Sequence, residues 1–358
     1  MMNFSTIKEV VYSLNHGNTI TVCLAQTHHD HIPFISTLEV RSLDSDTYNY
    51  VDSDYPLFFL ARRVYGTNRY VRYSEDSYDR IWWPGNGPEH DSTDTWVDNT
   101  APVVQVNISD KIPEALFRTA LTSLNSSGEI WRWGIFKNLS VPLQFNAYFS
   151  EVIQLNSTQK RSFDIKVLKT GDNVVSVYDT VIPPYGHALK VCIENITTNS
   201  SDVLGIGLVP TKDSTLPPLI SALEGYVIGD KLVQGTNLND VNSLGLLQKS
   251  FNQLQDWQDD PCLPSPYTWD WVACDSDPDS PRFTALYLND LGLVGTLPDF
   301  SAMDALEIID LHNNSLIEAI PEFLGTIPKL KVLEQQAEGV TELLKEEELQ
   351  ILTNKKTE

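Results

Sequence analysis

The chain has 358 residues, 41% of them hydrophobic, and carries 48 acidic against 25 basic side chains for a net charge of −23. A polyanion of this kind repels phosphate backbones and anionic lipid surfaces, which excludes nucleic-acid binding and polybasic membrane docking as expected roles. No run of about 18 apolar residues occurs, so no membrane-spanning helix is predicted, while aromatic and charged fractions of 10% and 20% are those of a chain that buries a core.

Taken in chain order, residues 1–17 lack the basic start, apolar stretch and small-residue cleavage site of a secretory signal, and read literally the polypeptide stays in the cytosol. Cys23 (ITVCLAQ) and Cys192 (LKVCIEN) sit in alternating apolar runs and are expected as buried, free strand thiols. His28-His29-Asp30-His31 offers imidazoles and a carboxylate of the kind that ligate transition metals. Neighbours on an extended loop point in different directions, however, and no second cluster completes the set. It is read as a solvated loop between two strands, and no metal or other cofactor is expected.

To about residue 212 the texture is β. Phe145, Ala147 and Phe149 alternate with Gln144, Asn146, Tyr148 and Ser150; Phe163, Ile165 and Val167 alternate with Asp164 and Lys166; Leu189, Val191 and Ile193 alternate with Lys190, Cys192 and Glu194. This period of two predicts strands with one side on a core. Turn signals at short intervals, such as Lys169–Asn173 and Pro183-Pro184-Tyr185-Gly186, predict an antiparallel sandwich spanning Tyr55 to Pro210. Leu216-Pro217-Pro218-Leu219 opens a connector, and Asn239 is expected to cap a helix with Val241, Leu244, Leu247 and Phe251 at helical spacing.

Cys262 and Cys274 follow in DPCLPSPYTWDWVAC, too far apart and without the His partners of a zinc knuckle. A bridge between them closes a short loop and contributes roughly 3 kcal/mol. From Phe283 a repeat begins: Leu288 matches Leu311, Leu293 matches Leu316 and Pro298 matches Pro321, each 23 residues on, with a third unit starting at Leu330. That is the spacing of leucine-rich repeats, whose short strands and leucines fill a solenoid. About three units are needed for independent stability, and the last one here passes into a charged tail.

No nucleophile elbow, phosphate-binding Gly-rich loop or kinase signature occurs, so no enzymatic activity is predicted. Tyr65, Tyr70, Tyr73, Tyr78, Trp82 and Trp83 crowd one segment beside Glu75, Asp76 and Asp79. Sugar C–H faces stack on such rings while carboxylates bind hydroxyls, making Tyr65, Tyr70, Tyr73, Tyr78 and Trp83 the candidate ligand-binding residues. The structural alternative pairs Asp79 with Arg80 and sends Ile81 and Trp82 into the core. Asn-x-Ser/Thr acceptors occur at Asn3, Asn107, Asn125, Asn138, Asn156, Asn195, Asn199 and Asn313, about twice the chance number, as in exposed loops of secreted glycoproteins.

Several stretches converge on one family. FISTLEVRSL (Phe34–Leu43), YGTNRYVRYSEDSYDRIWWPG (Tyr65–Gly85), ALFRTALTS (Ala115–Ser123) and FNAYFSEVIQLNSTQKRSFDIKV (Phe145–Val167) resemble the plant malectin-like ectodomain. The DPC element (Asp260–Cys274) resembles the segment that joins it to leucine-rich repeats in plant receptor-like kinases. The resemblance implies a mainly β fold: a malectin-like jelly-roll β-sandwich followed by a short α/β leucine-rich-repeat solenoid. It further implies a remnant of a first sandwich over 1–48, with Ile20–Leu24 and Phe34–Leu43 as its closing strands, and a sandwich over 49–212. A connector and capping helix over 213–256, a DPC cap over 257–282 with the Cys262–Cys274 disulfide, repeats over 283–333 and a charged tail over 334–358 complete it. On this likeness the chain is a truncated receptor-like protein without transmembrane helix or kinase. It acts as a non-enzymatic extracellular or plasma-membrane-associated recognition module for a cell-wall glycan, a secreted peptide or a co-receptor ectodomain. The alternative is a truncated ectodomain with no ligand of its own, acting only through protein–protein association.

Overall fold

The computed structural model describes residues 7–13, 22, 24, 26, 28–48, 52–87, 93–137, 141–169, 175–197, 201–232, 235–277, 280–317, 320–335 and 350–352. Two compact units divide the chain: Met1–Asn15 with Glu39–Leu232, and His16–Leu38 with Val233–Glu358.

The first unit is built of strands. They begin with β1 (Val10–Val11), β2 (Leu57–Val64), β3 (Trp83–Pro84), β4 (Asp94–Asp98), β5 (Thr119–Ser123) and β6 (Ile130–Lys137). There follow β7 (Pro142–Phe149), β8 (Phe163–Lys169), β9 (Val175–Val181) and β10 (Leu189–Thr197), then β11 (Ser201–Pro210), β12 (Leu219–Ile220) and β13 (Ala222–Ile228). One sheet runs β1-β2-β13-β7-β10 with β3 beside β2, a second runs β6-β11-β8-β9, and a third runs β12-β5-β4. Phe145, Ala147 and Phe149 of β7 share a core with Phe163, Ile165 and Val167 of β8 and with Leu204, Ile206 and Leu208 of β11. The two larger sheets therefore pack face to face, and Phe149 meets Phe163 edge-on at 5.5 Å. Full burial of each such side chain contributes about 1.5–3 kcal/mol.

Three expectations are corrected here. The sandwich does not end near residue 212: β13, in the stretch expected as a connector, lies between β2 and β7 at the centre of the largest sheet. Pro217 and Pro218 stop short of that strand, so its ladder keeps its donors. Residues 34–43 form no strand, and Phe34 is 86% exposed. Instead β1 extends the large sheet through Val10↔Phe58, and Tyr48 packs on Leu57 and Tyr226, so the segment expected as a remnant contributes to this sandwich. Ile20, Val22, Cys23 and Leu24 are expected in a strand; of these, Ile20 and Cys23 lie outside the described residues and none of the others is in one. Finally, the polar side of β7 is not solvated. Gln144, Asn146, Tyr148 and Ser150 are all buried, because a second apolar layer of Val71, Trp82, Val104, Ile112, Leu116 and Phe117 covers that face.

In the second unit the helix α1 (Leu238–Ser250) is capped by Asn237, whose side chain accepts from the Asn239 amide. Asn239 is thus the donor rather than the expected cap. Leu244, Leu247 and Phe251 are buried beneath it, whereas Val241 is only half-buried. Next come β14 (Val272–Cys274), β15 (Phe283–Tyr287), β16 (Val294–Gly295), β17 (Ile308–Asp310), β18 (Ser315–Leu316), β19 (Val332–Glu334) and β20 (Gln350–Leu352). A five-stranded sheet runs β14-β15-β17-β19-β20, and its members from β15 onward are parallel. The last strand falls in the stretch expected as a charged tail. Leu286, Leu288, Leu293, Ile309, Leu311 and Leu333 fill the interior. Asn314 stitches the turns, donating to the Leu288 carbonyl at 2.7 Å and accepting from the Leu293 amide at 2.9 Å.

Ahead of the stack, Cys262 and Cys274 are joined by a disulfide with Cα atoms 5.9 Å apart. Asp260 organises the approach to it, accepting from the Thr236 amide and hydroxyl and from the amides of Cys262 and Leu263. Trp257, Trp269 and Trp271 cluster around it with ring centroids 5.5–6.3 Å apart. Among the described residues no helix is long and apolar enough to cross a membrane.

Candidate functional site

The aromatic segment leaves β2 through Gly66, whose φ of +79° suits glycine; a Cβ there would lie 2.7 Å from the Ala120 amide nitrogen. It returns through an antiparallel bridge between Val71 and Trp82. Buried Asp76 pins the turn between them. Its carboxylate accepts from the Tyr78 amide at 2.9 Å, from Arg80 Nε at 2.9 Å and from the Trp82 indole at 2.8 Å.

This anchoring leaves an exposed ledge. Tyr70 and Tyr73 are 51% and 71% exposed, and Trp83 stands edge-on to Tyr70 at 5.1 Å. Planar ion pairs rim it. Arg69 donates to both Glu75 oxygens at 2.6 and 2.9 Å, and Arg72 donates to both Asp79 oxygens at 3.0 and 2.8 Å. Arg41 adds a contact to Asp79 at 3.1 Å, and Arg118 one to Glu75 at 3.5 Å. The hydrogen bond from Arg69 holds the Glu75 carboxyl below its ordinary value, as Arg72 does for Asp79. Both carboxylates thus stay ionised and oriented. Asp79 also accepts from the Tyr73 amide at 3.0 Å, which fills both of its oxygens, so Glu75 is the carboxylate left with lone-pair capacity for a hydroxyl or amide donor.

The other candidates lie elsewhere. Tyr65 is 3% exposed with the Arg132 guanidinium 5.4 Å over its ring, so it cannot stack on an external ligand. Tyr78 is half-buried, and its hydroxyl accepts from the Asp44 amide at 3.1 Å. The expected Asp79–Arg80 pair is not formed: Arg80 pairs with Asp76, four residues earlier, while Asp79 turns outward at φ +52°. Trp82 does fill core, but Ile81 is only half-buried. Cys192 carries no disulfide and is half-buried rather than buried, its thiol pushed up by desolvation and so a poor nucleophile. His28-His29-Asp30-His31 is an exposed turn closed by the His31 amide on the His28 carbonyl at 3.0 Å.

Among the glycan acceptors, Asn107, Asn125, Asn156 and Asn313 are exposed. Asn195 lies in β10 at a register shift between Ile193 and Ile196, not in a loop. Asn3, Asn138 and Asn199 lie outside the described residues.

Sequence reasoning missed the polar network under the ledge. The buried Glu224 carboxylate accepts from Arg62 Nε at 3.1 Å, the Tyr226 hydroxyl at 3.1 Å, the Tyr148 hydroxyl at 2.6 Å and the Asn146 amide at 3.1 Å. Arg62 reaches on to Glu9, and the Tyr48 hydroxyl links Glu224 to Arg80. Asp110, also buried, accepts from the Tyr48 amide and pairs with Lys190. The arrangement is closed and satisfied on the Glu224 side, which makes it a support for the ledge rather than a binding cavity.

The model of the malectin-like domain family matches residues 2–228. A probable LRR receptor-like serine/threonine-protein kinase of Arabidopsis thaliana is 34% identical over 297 residues, covering 80% of this chain and 33% of the relative. A second from the same plant is 30% identical over 336 residues, covering 91% and 37%. The chain thus spans about a third of the length of the curated relatives it matches. Among solved structures, the ANXUR2 extracellular domain from Arabidopsis thaliana aligns over 49% of this chain and 50% of its own, at 14% identity and a TM-score of 0.39.

Proposed function

Because the chain belongs to the malectin-like domain family, we propose that it is a non-enzymatic recognition module of the plant cell surface whose ledge binds a cell-wall oligosaccharide. The observation that carries this reading is the solvent-facing Tyr70 and Tyr73, with Trp83 edge-on to Tyr70 and the neighbouring Glu75 and Asp79 carboxylates held in place by arginines. Exposed rings offer π faces to sugar C–H groups, and the pinned Glu75 carboxylate accepts from a sugar hydroxyl without first losing rotamer freedom. The exposed acceptors Asn107, Asn125, Asn156 and Asn313 and the Cys262–Cys274 bridge support an extracellular setting. A glycan microarray of wall oligosaccharides probed with the whole chain is expected to retain a related subset. Retention of none contradicts the reading.

A second reading takes the parallel stack as a leucine-rich-repeat solenoid that docks a secreted peptide or a co-receptor ectodomain. The 23-residue spacing of Leu288 and Leu311 and the parallel pairing of β15, β17 and β19 favour it. Such strands present alternate side chains, among them Tyr287, Asp310 and Glu334, along one face. The jelly-roll assignment of the sandwich and its origin as the second of two belong to the same proposal.

A further inference from the structure

On the parallel stack, the register of β17 and β19 sets Asp310 directly opposite Glu334. Like charges facing across adjacent strands destabilise a sheet unless a cation lies between them. His312, two residues beyond Asp310, aims at this pair: its Nδ1 is 2.6 Å from Asp310 Oδ1 and 3.9 Å from Glu334 Oε2. One nitrogen and two carboxylate oxygens, each offered by a different residue, lie within 4.8 Å of one another. Their side chains are partly sheltered, at 16%, 39% and 35% exposure for Asp310, His312 and Glu334.

The far side of the ring is also furnished. His312 Nε2 lies 3.6 Å from Asp290 Oδ2, and Asp290 is itself held by the side-chain amides of Asn289 and Asn313. At this distance Asp290 stands just beyond hydrogen-bond reach of Nε2; drawn in when Nδ1 takes a metal, it would favour the tautomer that presents the Nδ1 lone pair, as outer-shell carboxylates do for histidine metal ligands.

We propose that Asp310, His312 and Glu334 form a binding site for a divalent transition-metal ion of the zinc class, with Asp290 as a positioning residue. The donor set decides the class. Calcium and magnesium take all-oxygen shells, whereas an imidazole with two carboxylates suits zinc and its neighbours. With metal–ligand bonds of about 2.0–2.2 Å, tetrahedral ligand atoms stand roughly 3.4 Å apart. To reach that spacing the histidine–Glu334 gap closes slightly, the histidine–Asp310 contact opens, and the Asp310 and Glu334 oxygens, within 4.8 Å of each other, adjust by side-chain rotation. Three protein ligands leave a fourth position for water or for an incoming carboxylate.

Titration calorimetry of the untagged full chain with Zn²⁺ tests this. One-to-one binding is expected, unaffected by excess Ca²⁺ or Mg²⁺. His312→Gln and Glu334→Gln are each expected to weaken it at least about tenfold, and Asp290→Asn by about tenfold. A combined His28→Gln, His29→Gln and His31→Gln variant, removing the imidazoles of the exposed turn, is expected to keep it. Should His312→Gln not fold, Asp310→Asn with an unchanged circular dichroism spectrum takes its place. Absence of binding to the wild-type chain, or binding that survives His312→Gln and disappears in the triple variant, overturns the proposal.

Discussion

Arg62 and Glu224, both fully buried, face each other in register on β2 and β13, with Arg62 Nε 3.1 Å from Glu224 Oε2. Two charges removed from water attract strongly, but their desolvation is repaid only where further hydrogen bonds satisfy the remaining sites. Glu9, Tyr226, Tyr148 and Asn146 supply those bonds. Removing one charge therefore strands the other. Glu224→Gln and Arg62→Met are each expected to lower unfolding free energy by about 3–5 kcal/mol, read from urea midpoints. A change below about 1 kcal/mol in both would show that the network is not integral to the sandwich.

The same pair governs acid stability. Burial alone would raise the Glu224 carboxyl, but the charges of Arg62 and Arg80 and bonds from Tyr148 and Asn146 bring it below its ordinary 4.5. A depressed folded-state value means stabilisation that is fully present above the unfolded value and is lost as pH falls through the folded one. The urea midpoint should be flat from neutrality to about pH 5 and decline below about pH 4. The decline should be shallower in Glu224→Gln. Equal acid slopes in the two proteins would contradict the assignment, since the exposed pairs at Glu75 and Asp79 contribute little.

Much of the fold was legible because alternation and spacing report it directly. Phe145, Ala147 and Phe149 mark one side of β7, and the 23-residue offset of Leu288 and Leu311 becomes the ladder of β15 and β17. What escaped was the second buried face. Asn146, Tyr148 and Glu224 follow the same period-two rule as solvated residues, and only distant loops carrying Trp82, Leu116 and Phe117 make that face interior. β13 escaped for a related reason: its Gly225 and Glu224 dilute the apolar pattern that would mark a central strand. At the site, residue type could not separate Tyr70 and Tyr73 from Tyr65. Their exposure depends on where Gly66 redirects the chain.

That redirection is testable. At φ +79° with Ala120 backbone 2.7 Å from any Cβ, Gly66→Ala combines left-handed strain with a clash that the β5 backbone cannot relieve cheaply. A loss of about 2 kcal/mol or more is expected in chemical denaturation. A neutral substitution would mean the ledge is not braced against β5.

In the second unit, Cys262→Ser with Cys274→Ser opens the loop around Trp269 and Trp271. A local stability loss of about 3 kcal/mol is expected, seen as faster amide hydrogen exchange over 257–277. Unchanged exchange there would assign the bridge no structural part.

The central claim is recognition by the ledge, and calorimetric titration of the best-retained wall oligosaccharide into Tyr70→Ala/Tyr73→Ala tests it most directly. Both rings are solvent-facing, so the variant should melt with the wild type while binding at least about tenfold more weakly. Wild-type affinity in a fully folded variant would contradict the account.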